Sequence, residues 1–593
     1  MRLVAMRKVP EEEGLRQQWS ALVLETNRPE VFYTWEWARA VEHAYGSAFT
    51  PLLYLFFEGE ALVGLVALAT STSDKHEAFF LSGTTADYCD FLSSPSRRLD
   101  CVRQVFGELR KLQVKRLTLA NLPADSATNA AMQAVAGKSG YHLLLRPAYQ
   151  CAQIELGPYC EGRSLARSSH QKKALRRNLR ALESKGSVTM VNLASDAARG
   201  LLPDFAQAHV ARFLATGRIS NLAYPERRAF LSELSQLLAA SGWLRITRLM
   251  VGNHPVAWNY GFGFMGSWFW YQPTFDTNFE EFSPGICLLS KIVEAACADP
   301  TINLVDLGLG AEDYKERLAT TSRQTLHLTL NHSLVRHVKE TVRYHAAVLA
   351  QASPRLERRL RWLQRCVGRS GLWSGFWSLV SKTWKSLERG FWRRDEVLFF
   401  EWRDRGATVP LQRTESLSLK RITWELLATG VIHYCDDRET VECLLRAAER
   451  LRDRKSEGFA LVLAEGIPVH FGWVDDLDGF HIEELDAKVQ DRGANCVVIF
   501  DCWTPLSARG RGYCAAANWE LALHLRSLGK QAWTFSAASN EPFIRGVRKA
   551  GFVHQDSMIR TRRLLASRRV RVEAPREIEP HGQRFEFARR AND

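Results

Sequence analysis

Thr504-Pro-Leu-Ser-Ala-Arg-Gly-Arg-Gly-Tyr-Cys514 follows an apolar run ending near Trp503 and precedes a helical pattern that reaches about Arg526. A second strand pattern, Asn540 and Gly551-Phe552 come after it. Strand, glycine loop and helix in that order make a cradle for a pyrophosphate, because consecutive backbone N–H groups point at one spot with the helix dipole behind them. Gly510 and Gly512 suit the loop: a side chain at either position would hold the backbone off the phosphates or forbid a positive φ.

Working outward, one local pattern recurs three times: a strand, a short Gly-containing turn, and a second strand. The copies are Leu53 to Val66, Ile246 to Trp258, and Phe459 to Trp473. Such turns favour tight antiparallel pairing. Each copy follows a segment of helical periodicity and precedes further strand and helix at about a domain's spacing, so three related α/β lobes are expected. They are placed at 1–155, 156–335 and 396–570, with a connector at 336–395 and a poorly ordered tail at 571–593.

A chain of 593 residues is too long for one core, and 46% hydrophobic with 24% charged content is ordinary for a globular protein. No apolar run is long enough to span a bilayer, and the N-terminus lacks the apolar core of a secretory signal. A cytoplasmic location is expected. The twelve Cys include no C-x-x-C pair, which fits reduced thiols and neither a disulfide scaffold nor a zinc site; no metal is expected.

The net charge of +14 is concentrated: between Arg355 and Arg394 lie eleven Lys or Arg against two Glu, together with Trp362, Trp373, Trp377, Trp384 and Trp392. Basic residues with Trp at helical spacing suit a helix pair on an anionic membrane surface. They equally suit a linker whose Trp residues pack on neighbouring domains. No nucleic-acid motif accompanies the charge, so DNA is not expected as a partner.

Arg509-x-x-Gly512-x-Cys514, with Asn540 and Gly551-Phe552 downstream, resembles the GNAT superfamily of acyl-CoA-dependent N-acyltransferases. The resemblance covers about 160 residues. It implies that acetyl-CoA or another acyl-CoA is held by Arg509, Gly510, Arg511, Gly512, Tyr513, Cys514 and Ala515, with Asn540 nearby, and that the preceding strand splays open for the pantetheine arm. Many members place a Tyr four residues before the Gly-Phe pair as the acid for the leaving thiolate, where this chain has Val547. Asp501 and Glu483 or Glu484, on expected strands, are candidate bases.

Phe32 to Trp37, Asp87-Tyr-Cys-Asp-Phe91, Lys172 to Leu182, His209-x-x-Arg212, Ser283-Pro-Gly285 and Asp306 to Lys315 look like the double-GNAT acyltransferases of cellulose and exopolysaccharide biosynthesis, relatives of the Fem-type aminoacyltransferases of peptidoglycan. The fold class expected is therefore α/β with α+β mixed sheets: three GNAT-like lobes, the first two fused as a Fem-like pair and joined to the third by the basic connector. Ser283 can cap the helix it precedes. Asp313, Tyr314 and Lys315 are candidate catalytic residues: Lys315 to stabilise an oxyanion or hold a phosphate, Tyr314 to donate a proton. His209 and Arg212, one turn apart on a helix, can reach the same cleft.

The activity expected is acyl transfer to an amine or hydroxyl on a sugar, lipid-linked precursor or amino compound, with the connector keeping the protein at the inner membrane face. Two alternatives stay open. The lobes can serve as a non-catalytic CoA-binding assembly factor, or the donor can be an aminoacyl-tRNA.

Overall fold

The computed structural model describes residues 1–157, 160–169, 172–193, 196–310, 312–351, 392–404, 416–490, 492–563 and 566–573. Most of the basic segment Arg355–Arg394, read as a membrane-facing helix pair, lies outside them. So does most of the tail after Val570.

Two compact units divide the chain, Met1–Arg361 and Trp362–Asp593. In the first, the strands are β1 (Arg2–Met6), β2 (Phe49–Glu58), β3 (Ala61–Ser71), β4 (Glu77–Phe80), β5 (Leu92–Ser93), β6 (Arg116–Pro123), β7 (His142–Glu155), β8 (Val188–Leu193), β9 (Leu244–Val251), β10 (His254–Phe264), β11 (Ser267–Phe275), β12 (Leu304–Asp306) and β13 (Thr321–Asn331). All thirteen form one mixed sheet, ordered β1-β2-β3-β4-β6-β13-β7-β12-β11-β10-β9-β8 with β5 paired to β3.

Strand exchange makes the sheet continuous. β13 closes the second lobe in sequence, yet it inserts between β6 and β7 of the first and pairs antiparallel with both. β7 is long enough to serve both lobes: most of it pairs with β13, and Gln153–Glu155 pairs with β12. Alternate β13 side chains Leu326, Leu328 and Leu330 are buried, as period-two patterning requires. The second lobe's core gathers Ile154, Val305 and the helix residues Leu288, Leu289 and Ile292.

In the second unit the strands are β14 (Trp392–Trp402), β15 (Leu417–Arg421), β16 (Glu457–Leu463), β17 (Pro468–Asp476), β18 (His481–Ile482), β19 (Ala487–Lys488), β20 (Cys496–Trp503), β21 (Gln531–Ala537), β22 (Phe552–Arg563) and β23 (Ala566–Glu573). Eight of them form a sheet in the order β15-β16-β17-β20-β21-β14-β22-β23, and β18 with β19 makes a separate hairpin. Trp392–Asp395, read from sequence as the end of the connector, is strand here: Trp392 pairs with Arg563 across β14 and β22. One face of the sheet packs helices through Phe400, Leu521, Leu525, Ile544 and Val547. The other face packs the β18–β19 insert through Phe399, Leu477, Ile482 and Trp533.

All three hairpins expected from the sequence are present, as β2–β3, β9–β10 and β16–β17. Their turns are local, so short-range chemistry suffices to specify them. The helices used below are α1 (Pro95–Lys111), α2 (Ala127–Val135), α3 (Leu202–Ala215), α4 (Pro284–Ala298), α5 (Asp313–Leu318), α6 (Leu334–Gln351), α7 (Arg438–Asp453), α8 (Tyr513–Ser527) and α9 (Glu541–Lys549).

Candidate active site

In the second unit, β20 and β21 run parallel and paired only from Cys496↔Gln531 to Ile499↔Thr534. Beyond that point they part. On its other edge β20 carries a bulge: its pairing with β17 jumps from Trp473↔Phe500 to Phe471↔Trp503, with Asp501 at φ +45. An extra residue on one strand bends it and frees backbone from the ladder, which is what opening a sheet requires.

The glycine loop stands at the mouth of this opening. Gly510 and Gly512 have φ +80 and +81, and Gly512 is the N-terminal cap of α8 in the left-handed region. Nothing lies within 4 Å of the Cβ an Ala would add at Gly510, so its backbone angle, not space, is what calls for glycine. Arg509, exposed, braces the loop, its Nε donating to Thr504 O at 3.0 Å and its guanidinium 5.0 Å from the Trp503 ring centroid. His470 holds the other end through Nδ1 and Thr504 Oγ1 at 2.7 Å, and burial pulls its pKa down to about 3, so the ring is neutral.

A cleft of about 600 Å³ lies along the loop, lined by Arg509, Gly510 and Gly512–Ala515 on one side and by Asn540, Arg545 and Lys549 on the other. Backbone donors at a helix start, left-handed glycines and basic side chains form a set that fits a pyrophosphate. Tyr513 is buried under this end of α8, whereas Arg511 is exposed and is not among the lining residues. Asn540 caps α9, its Oδ1 accepting from the Phe543 N–H at 3.4 Å.

A second cleft, of about 370 Å³, lies on the far side of the opening. Phe480, Glu483 and Glu484 from the insert line it, with Asp501 and Arg450 opposite. Asp501 is ion-paired to Arg450, whereas Glu483 and Glu484, expected on a strand, are exposed in the turn between β18 and β19. Cys502, Asn540 and Phe543 line both clefts, so the two meet where β20 and β21 separate. Burial raises the Cys502 thiol well above its ordinary pKa, which keeps it protonated. Val547 is fully buried in the core beneath α9.

The first unit contains the same parting of parallel strands twice, and the chain's own hydrogen bonds bridge each of them, although a cleft of about 390 Å³ lined by Asp90, Ser93, Arg98 and Ser126 is open in the first lobe. In the first lobe β4 and β6 pair from Glu77↔Arg116 to Phe79↔Thr118, after which the segment following β4 is tied to β6. Asn121 Nδ2 donates to Ala86 O at 2.8 Å, and the Cys89 N–H to Asn121 O at 3.0 Å. Asp90 accepts from Arg98 on α1 and from Ser126 and Thr128 at the start of α2. A carboxylate of the chain thus sits at two helix N-termini, where an anion would be stabilised. In the second lobe β11 leaves β12 after Phe269↔Asp306, and Trp270 Nε1 on β11 donates to Tyr314 Oη on α5 at 3.2 Å. Ser283 does not act as the cap expected of it: it makes no capping hydrogen bond and stands at φ +50 ahead of α4.

Lys315 and Tyr314 are therefore built into packing between elements. Lys315 is 4% exposed; its Nζ donates to Leu309 O at 2.6 Å and pairs with Glu312 at 3.0 Å. It faces Asp87 of the first lobe, whose pKa is pushed up to about 7 by burial and then by Asp306, with Lys315 opposing. Asp306 accepts from Tyr88 Oη at 2.9 Å, Gln153 Nε2 at 2.7 Å and the Gly308 N–H at 2.8 Å. Nearby, Glu30 pairs with Arg323 at 2.7 Å, and burial pushes it up to about 8 against the pull of that guanidinium.

Asp313 is exposed at the start of α5. His209, buried on α3, shares a hydrogen bond with Ser220 Oγ at 2.8 Å and stacks on Phe213. Burial lowers its pKa to about 3, with Arg212 adding to the shift. Arg212 donates to Pro273 O at 3.0 Å and lies within electrostatic reach of Tyr314. The motifs that carry Asp87 and Asp306 are visible in sequence, but the approach of Asp87 to Asp306 and Lys315 joins segments far apart in the chain and had no local signal.

Among the described residues no group of three or more His, Cys, Asp or Glu is arranged to hold a metal, and no helix is long and apolar enough to cross a membrane.

Residues 169–316 match the family model described as "Acetyltransferase (GNAT) domain". The comparison with curated proteins found no match. Among solved structures the chain is similar to FemX, at 9% identity over 58% of this chain and 100% of that one, TM-score 0.41. It is similar to the tandem GNAT protein from the clavulanic acid biosynthesis pathway, at 15% identity over 56% and 99%, TM-score 0.34. It is also similar to L-PGS from Bacillus licheniformis, at 10% identity over 57% and 95%, TM-score 0.37. The match to the GNAT acetyltransferase family is thus confined to residues 169–316, which lie within a mixed α+β sheet, and it supports an acyltransferase.

Proposed function

We propose that the second unit is an acyl-CoA-dependent N-acyltransferase whose acceptor is a primary amine. The observation that carries this reading is the junction at Cys502, Asn540 and Phe543, where a glycine-loop cleft and an acidic cleft meet across two splayed strands. Backbone donors from Gly510 to Ala515 hold the pyrophosphate, and Arg545 and Lys549 screen its charge. The freed edge of β20 binds the pantetheine arm and brings the thioester to the junction.

Glu483 and Glu484 draw an ammonium into the second cleft and take its proton through water. The amine then attacks the thioester carbon: the C–N bond forms, the nitrogen gives up a proton to water, the C–S bond breaks, and the thiolate leaves as CoA thiol after gaining a proton. With Val547 in the core, that proton comes from water in the open cleft, so the leaving step is slower than with a placed phenol. The buried carboxylates and Lys315 of the first unit serve in this reading to hold its lobes together. An envelope or exopolysaccharide precursor bearing an amino sugar has the chemistry of such an acceptor.

Thiol release from acetyl-CoA by the purified full chain, with amino sugars and diamines as acceptors, tests the proposal. Amine-dependent release abolished by Gly512→Glu is the expected result. Release that is independent of amine, or unchanged in the variant, refutes it.

A further inference from the structure

A surface helix ordinarily turns its apolar face to the core and its polar face to water. α6 does the reverse. Its inward side is polar or aromatic: Glu340 accepts from Asn331 at 2.9 Å and pairs with Arg116 at 3.1 Å, Tyr344 lies under Arg146, and His337 packs on His142. Its outward side is aliphatic. Val335 is 79% exposed, Val338 49%, Val342 61% and Leu349 67%. At helical periodicity these four, with Leu334 and Ala346, share an arc of about 120°. Arg336, Lys339 and Arg343 run along one flank of that arc. A continuous exposed stripe of this kind marks a surface that something covers.

We propose that α6 lays this stripe on an anionic lipid surface. Lys339 and Arg343 are outward and exposed, Arg336 is exposed and pairs with Glu77 at 3.4 Å, and Glu340, the helix's only acid, is committed inward to Arg116 and Asn331. Charge complementarity extends along the sequence, since residues 352–391 add nine Lys or Arg against two Glu, and four Trp. Apolar insertion combined with attraction to anionic headgroups is how interfacial helices bind, and the helix is too polar to span. A second copy packed on the same stripe would set like cations beside the seam with no free acid to meet them. This inference is independent of the transferase reading.

Flotation of the full chain with vesicles of phosphatidylcholine alone, and of phosphatidylcholine with phosphatidylglycerol, tests it. The protein is expected to float with the anionic vesicles, less so as salt rises. Val338→Glu with Val342→Glu is expected to cut the bound fraction about fivefold or more while leaving the circular dichroism spectrum and thermal midpoint unchanged. Val335→Ser with Leu349→Ser gives a milder pair for the same comparison. Equal flotation of wild type and both variants, equal binding to neutral vesicles, or no flotation of the wild type would overturn the proposal. So would a wild-type dimer by light scattering that the substitutions convert to monomer, which would assign the stripe to a second copy.

Discussion

Gly308 shows how tightly the interior of the first unit is drawn: at φ +67, a Cβ there would meet Asp87 Oδ2 at 2.5 Å. Gly308→Ala is therefore expected to destabilise that unit by about 1–3 kcal/mol, read as a lower urea midpoint, because backbone strain and displacement of a buried carboxylate add. Asp87 itself makes a pH prediction. Its folded pKa is raised from 3.8 to about 7, so the protonated form is favoured by folding, and the stability this brings is present at low pH and lost as pH rises toward and through 7. Glu30, raised from 4.5 to about 8, adds in the same direction. Below pH 6.5 the buried His209 and His327, whose pKa values are lowered to about 3 and about 4, oppose this trend, so the urea midpoint of the first unit should fall between pH 6.5 and 8, and Asp87→Asn should flatten that fall; a midpoint that rises over this range would contradict the assignment. At this scale the positive φ expected at Gly510 and Gly512 is present, because it depends on immediate chain neighbours. Asp87 stands in a motif visible in the sequence but without a role there, because its burial depends on strands far apart in the chain, and the Lys315 amine meets Leu309 O and Glu312.

Among the elements, the loop before α8 and the β18–β19 insert divide the labour of the proposed site, and each can be altered alone. Glu483→Gln with Glu484→Gln removes two exposed charges from the acceptor cleft without touching the cofactor cleft. It should lower kcat/KM for amine acceptors about tenfold, equivalent to about 1.4 kcal/mol of transition-state stabilisation, and leave CoA affinity unchanged. A matching loss of CoA binding would mean that the two clefts are not separate. The hairpins were readable because a Gly turn between alternating apolar runs is complete within about fifteen residues. The insert was not, since β18 and β19 are two residues each and pack through side chains onto a sheet assembled elsewhere. β13 was harder still: it continues a strand pattern, and nothing in that pattern names β6 and β7 as its partners.

Across the whole molecule, the two units have separate cores, and three partings of parallel strands occur in one chain. Two of them are bridged by the chain's own hydrogen bonds, from Asn121 in the first lobe and between Trp270 and Tyr314 in the second. The third opens onto the cleft at Gly510–Ala515. A ligand bound there stabilises only the unit that holds it. Calorimetry of the full chain should therefore show CoA raising one unfolding transition and leaving another in place; a uniform shift would argue for a site shared between units. The most direct test of the claim that this cleft binds CoA is hydrogen exchange of the full chain with and without CoA, read peptide by peptide. Protection concentrated at 500–516 and 534–549 is the predicted result, and protection confined to 283–315 of the first unit, or none anywhere, would contradict it.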